Sequence, residues 1–155
     1  MINKYYIMAL PTFTAFETWS QYLHEEDFNY LIEYIENIIH DIPNNEMIIL
    51  VGPPRTGKTT LIGEIATYLG NELCECSDTQ LYRLIYEENI KPLIILHEVI
   101  LYNTEQFNNR NRNLTNSLIN FIRYGISFIA AIDSIDTVNP KILEHSKIIM
   151  MTHTF

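Results

Sequence analysis

Apolar and polar residues change their period several times along this chain, and each change marks an element. Phe16, Trp19, Tyr22 and Leu23 share one helical face, and Phe28, Leu31, Ile32, Ile35, Ile38 and Ile39 then recur at three and four residues. Two amphipathic helices are therefore predicted, the second stopped by Pro43 and the "PNN" turn. "MIILV" follows as a strand, and Lys58 to Leu69 returns to helical spacing with Leu61, Ile62, Ile65 and Leu69 inward. "ELCEC" reads as a short strand, after which Ser77, with Gln80 as the other half of a capping box, opens a helix carrying Leu81, Leu84 and Ile85. "PLIILHE" is a continuous apolar run of strand length, the pattern of a strand buried on both faces. The Asn-rich "YNTEQFNNRNRNLTN" reads as a polar loop, and a helix around Leu114 to Tyr124 ends at Gly125. "ISFIAAID" and "SKIIMMTH" complete five strands.

Strands alternating with helices imply an α/β fold in which a parallel sheet is covered on both sides. The 155 residues, 47% of them hydrophobic, suffice for one domain with a core and are too few for two. No repeat or composition break marks a linker, so 1–155 is read as a single domain with a helical lead-in over 1–43 and a core over 44–155. A net charge of -9 excludes a broad basic surface, and any contact with nucleic acid must be local. No apolar run reaches the roughly 18 residues that span a bilayer, and "MINKYYIMALPTF" has too short an apolar stretch for a signal peptide. A cytoplasmic or other intracellular location without membrane contact is expected. Cys74 and Cys76 would share one face of a strand, too close for an ordinary disulfide. With no His or Cys pair nearby they read as reduced thiols rather than a metal site.

The chemistry centres on "GPPRTGKTT", Gly52, Pro53, Pro54, Arg55, Thr56, Gly57, Lys58, Thr59 and Thr60, which contains G-x-x-x-x-G-K-[ST] in full. It follows a predicted strand and opens a predicted helix, the context this phosphate-binding motif requires and one that a glycine turn binding nothing would not need. Gly52 and Gly57 let the backbone turn its N–H groups toward phosphate oxygens, and the helix N-terminus adds partial positive charge. Lys58 is expected on the β- and γ-phosphates and Thr59 on Mg²⁺. Arg55 either touches phosphate or faces solvent.

A nucleotide hydrolase also needs an acidic group at a second strand end. "LIILHE" is the good candidate, with Glu98 just past four apolar residues as the carboxylate that activates water. His97 stands where an aspartate linked to magnesium is the rule, and imidazole is a poor substitute for a hard, oxygen-preferring ion. The bland alternative is that both residues merely end a strand.

With these motifs the chain resembles P-loop ATPases of the branch with an added catalytic glutamate, namely AAA+ proteins and the superfamily 3 helicases of small DNA viruses. The resemblance rests on "GPPRTGKTT", "LIILHE", the end of "IAAIDS" and "NPKILEHSKIIM", and it covers about residues 25 to 155. It implies a three-layer P-loop NTPase fold with a mostly parallel five-stranded sheet of order 5-1-4-3-2, ATP and Mg²⁺ as cofactors, and a host-cell location if the chain is viral. It also implies a polar sensor of the γ-phosphate at Asp133 or Ser134; Ser134 is the more comfortable donor, because an aspartate adds negative charge beside a triphosphate. The segment that often carries an arginine reaching into a neighbouring subunit holds Lys141, His145 and Lys147 instead. Arg110, Arg112 and Arg123 are the other candidates, each with an ordinary surface role as the alternative. The stretch after the last strand is too short for the helical lid of a full AAA+ protein, and the leading helices resemble the lead-in of viral helicase domains.

Three functions are compatible with these features. The first is an ATPase forming a homo-oligomer, a hexameric ring being one form, and acting on nucleic acid or on a replication or packaging assembly. Its mark is "NNRNRN", where superfamily 3 helicases place a pore loop, so that Arg110 and Arg112 grip single-stranded nucleic acid. The second is a small-molecule kinase with the same arginines in a lid. The third is a nucleotide-binding structural subunit with little turnover.

Overall fold

A computed structural model describes residues 11–87, 89–102 and 109–153. The lead-in comprises α1 (Thr12–Phe16), a 3-10 turn (Glu17–Gln21) and α2 (Glu25–Ile39). The first of the two expected helices is thus broken at Glu17, and Trp19 reaches the core from the 3-10 turn. The second holds, with Phe28, Leu31, Ile32 and Ile35 buried, whereas Ile39 ends it exposed. Five strands follow: β1 (Met47–Val51), β2 (Glu75–Cys76), β3 (Ile94–Leu96), β4 (Phe128–Ile132) and β5 (Ser146–Met150). They pair in parallel in the order β2-β3-β4-β1-β5, which is the expected sheet read from its other edge.

Alternate residues of the strands enter different layers because successive side chains point to opposite faces. Ile48 and Leu50 of β1 join Ile95, Ile129 and Ile149 beneath the lead-in and α3 (Lys58–Tyr68). Met47, Ile49 and Val51 face the other way, with Phe128, Ala130 and Ile132, onto α4 (Asp78–Arg83), α5 (Asn109–Arg123) and α6 (Pro140–Leu143). The lead-in shares the sheet's core, since Phe16, Trp19, Leu23 and Leu31 belong to the same cluster as Leu61 and Ile65. Lys147 of β5 also pairs with Asp27 of α2 at 3.1 Å.

Three expectations change. The Asn-rich stretch is not a loop from Asn109 onward: α5 begins there, while residues 103–108 lie outside the described residues. The backbone of Arg110 and Arg112 is therefore helical. "ELCEC" is a strand only over Glu75–Cys76, so Cys74 is exposed and Cys76 buried instead of both sharing a face. Among the described residues no group of three or more His, Cys, Asp or Glu is placed to hold a metal. Finally, β3 stops at Leu96, and Glu98 opens a 3-10 turn (Glu98–Leu101) rather than ending the strand. The capping box at Ser77 and Gln80 forms as expected. No helix among the described residues is long and apolar enough to cross a membrane.

Candidate functional site

The site lies at the carboxyl ends of β1, β3 and β4, where open α/β sheets bind ligands. The loop after β1 is shaped by two left-handed residues, Arg55 (φ 69°) and Gly57 (φ 85°), the second of which stands directly before α3. Gly52 is forced by space: a Cβ there would stand 2.1 Å from the carbonyl oxygen of Met151. The buried Thr56 hydroxyl donates to the Pro53 carbonyl at 2.8 Å and closes the turn.

Lys58 is the buried cation of the site, 9% exposed. Its ammonium donates to the carbonyls of Gly52 and of Pro53, the latter at 2.9 Å, and pairs with Asp133 Oδ1 at 3.2 Å. A cleft of about 490 Å³ opens beside it, bounded by Lys58 and Thr59 of α3, by His97 and Glu98 after β3, by Asp133 after β4, and by Glu75 of β2. The cleft therefore gathers a buried ammonium, a threonine hydroxyl at a helix N-terminus and carboxylates, the groups that bind phosphate and a hard divalent cation.

His97 is held by its own chain. Its Nδ1 accepts from the Val99 N–H at 3.2 Å and its Nε2 lies 3.8 Å from Glu75 Oε2, toward the sheet edge. Glu98 is exposed, and its nearest described effect is on Tyr102: desolvation first, then the charge of Glu98 and a hydrogen bond to it, raise the phenol above its ordinary range. Of the two sensor candidates the structure brings Asp133 into the cleft. The Ser134 hydroxyl instead accepts from the Asp136 N–H at 3.3 Å and caps a 3-10 turn. The position of Asp133 immediately after a buried strand, like that of His97 and Glu98, was the available signal.

A second hollow of about 490 Å³ lies on the other side of the loop, between it and the lead-in. Trp19 and Tyr22 line it with Arg55, Gly57, Thr60 and Glu64. Arg55 thus faces this hollow rather than Lys58. The Trp19 indole donates to Glu64 Oε2 at 2.6 Å, and the Tyr22 ring lies against His153 with centroids 4.5 Å apart. The helical periodicity of Trp19 and Tyr22 indicated core residues and gave no sign that they also border this hollow. Lys141 is the second residue of α6, Lys147 is engaged by Asp27, and the side chains of Arg110 and Arg112 lie outside the described residues.

Residues 48–153 match the family model described as AAA, ATPase family associated with various cellular activities. Comparison with curated proteins gives no match.

Proposed function

Because the chain belongs to the AAA family of ATPases, we propose that it binds Mg²⁺-ATP across the loop after β1 and hydrolyses it. The observation that carries this reading is the convergence of Lys58, Thr59 and Glu98 on one cleft at the strand ends. In it the triphosphate lies along the loop N–H groups, Lys58 neutralises the β- and γ-phosphates, and Thr59 gives its hydroxyl to Mg²⁺. Glu98 accepts a proton from the attacking water, a role open to an exposed carboxylate at the border of the cleft. The base rests in the second hollow, against Trp19 and Tyr22, with Arg55 at its rim.

Within this reading, residues 1–155 act as one unit, as the core shared by lead-in and sheet supports. A homo-oligomer acting on single-stranded nucleic acid or on a replication assembly, in the manner of superfamily 3 helicases, is the finer form of the same proposal. In this finer form Arg110 and Arg112 supply the cations that grip the strand.

The test is steady-state Mg²⁺-ATP hydrolysis over a protein concentration series, with and without single-stranded DNA. A rate per chain that climbs with both is expected, and Glu98→Gln keeps nucleotide binding while losing turnover. Lys58→Ala loses binding. Normal hydrolysis by Glu98→Gln would mean that the base is misassigned. A flat, near-zero rate in every mixture would favour a nucleotide-bound structural subunit.

A further inference from the structure

We infer that Asp133, just after β4, supplies the carboxylate of the magnesium shell, taking the place that His97 leaves unfilled after β3. The inference rests on the ATP-binding reading above and deepens it.

Mg²⁺ accepts oxygen donors in octahedral geometry and takes one or two carboxylates together with substrate phosphates and waters, so no larger acidic cluster is needed. His97 offers only nitrogen, and both ring nitrogens face partners within the chain. Among the described residues three carboxylates border the cleft: Glu75, Glu98 and Asp133. Glu75 lies toward His97 at the sheet edge. Glu98 belongs to the water in the proposed reaction. Asp133 is the one in contact with Lys58, at 3.2 Å, and Lys58 is the chain neighbour of Thr59, whose hydroxyl is the other protein ligand.

Electrostatics decides the matter. A carboxylate aimed at the phosphate position raises the energy of a bound triphosphate unless a cation stands between them. In the structure the cation facing Asp133 is the Lys58 ammonium. Phosphate oxygens compete for that ammonium, and once they hold it a divalent cation is what can bridge Asp133 to the nucleotide. The strand order makes this geometrically natural, because β4 lies between β1 and β3, and its end therefore falls between the phosphate loop and Glu98.

The experiment measures ATP affinity of the full chain through Trp19 fluorescence and calorimetry, in Mg²⁺ and in EDTA, for the parent, Asp133→Asn, Asp133→Glu and His97→Ala. Asp133 is 69% exposed, so its replacements are not expected to impair folding. The parent binds more tightly with Mg²⁺. Asp133→Asn binds at least as tightly as the parent in EDTA, because a negative charge is gone and Lys58 is freed. It loses the gain from Mg²⁺ by about tenfold or more, since removing even a group that only orients a metal ligand costs about 10- to 100-fold. Asp133→Glu recovers part of that gain, and His97→Ala keeps it. Electron paramagnetic resonance of Mn²⁺ with ADP gives a readout independent of turnover, with the protein-bound signal weakened in Asp133→Asn. An undiminished Mg²⁺ gain in Asp133→Asn, or its loss in His97→Ala, overturns the assignment while leaving ATP binding intact. Failure of the parent to bind nucleotide in either condition overturns the ATPase reading itself.

Discussion

The most direct check on the phosphate loop is to replace Gly52 by alanine. The new Cβ would stand 2.1 Å from the Met151 carbonyl oxygen, whereas real Cβ atoms essentially never come within 3.0 Å, so the two backbones must part by nearly an ångström. Neither is free to move: the Gly52 N–H donates to Ile132 at 3.2 Å, and the Met151 N–H donates to Val51 at 2.7 Å. Overpacking of this kind costs about 1–3 kcal/mol, and weakening a backbone hydrogen bond adds about 0.5–1.5 kcal/mol. A loss of about 2–4 kcal/mol lowers the melting temperature of a chain this size by on the order of 10 °C. Gly63→Ala is the matched control, because an added Cβ there meets nothing within 4 Å in the middle of α3. It raises stability by about 0.5–1 kcal/mol through helix propensity. Thermal unfolding of the full chains without added nucleotide, followed by far-UV circular dichroism, reads both signs. If Gly52→Ala melts within about 2 °C of the parent, less than a single kcal/mol would shift it, the close approach of β1 to the segment after β5 is refuted.

Two further outcomes follow from burial. The Tyr34 hydroxyl accepts from the Phe128 N–H at 3.1 Å and donates to the Glu46 carbonyl at 2.9 Å, so Tyr34→Phe strands a buried donor at the start of β4. A cost of about 1–3 kcal/mol in urea unfolding is expected, and a change under a few tenths would show that the bond is unimportant. Desolvation, and after it the charge of Glu87, raises the Cys76 thiol from 9.0 to about 11. Since the folded state holds this proton more tightly, its contribution to stability is complete below about pH 9 and is lost as pH rises through about 11. At pH 8 an alkylating reagent should therefore modify exposed Cys74 quickly and Cys76 only on unfolding; equal rates would contradict the burial of Cys76.

The strands were legible because a strand buried on both faces loses its polar alternation, and "MIILV", "LIIL" and "FIAAI" carry that pattern without interruption. The loop was legible because glycine and lysine at these fixed offsets, set between a strand and a helix, seldom occur without a phosphate to hold. What escaped was set by tertiary contact. Asn is a weak helix former, so 109–113 reads as loop, yet the following turns bury Leu114, Leu118 and Ile122 and the helix extends back from them. The contact of Asp133 with Lys58 was out of reach for the same reason, because it depends on the sheet order that sets the end of β4 beside β1.

That partnership bears on how binding would proceed. The loop owes its shape to bonds within the chain: Thr56 to Pro53, the left-handed Arg55 and Gly57, and the close approach of Gly52 to Met151. A loop fixed in this way needs little reordering when it receives phosphate, which spares the entropy that a disordered segment would lose. Lys58 is different, because its ammonium is already committed to two carbonyls and to Asp133. Reorganisation on binding is thus concentrated in one side chain and its carboxylate partner, and a divalent cation that accepts Asp133 would release Lys58 to the phosphates in the same step. Metal and nucleotide binding are then coupled through a single ion pair, and by linkage each tightens the other by the same factor.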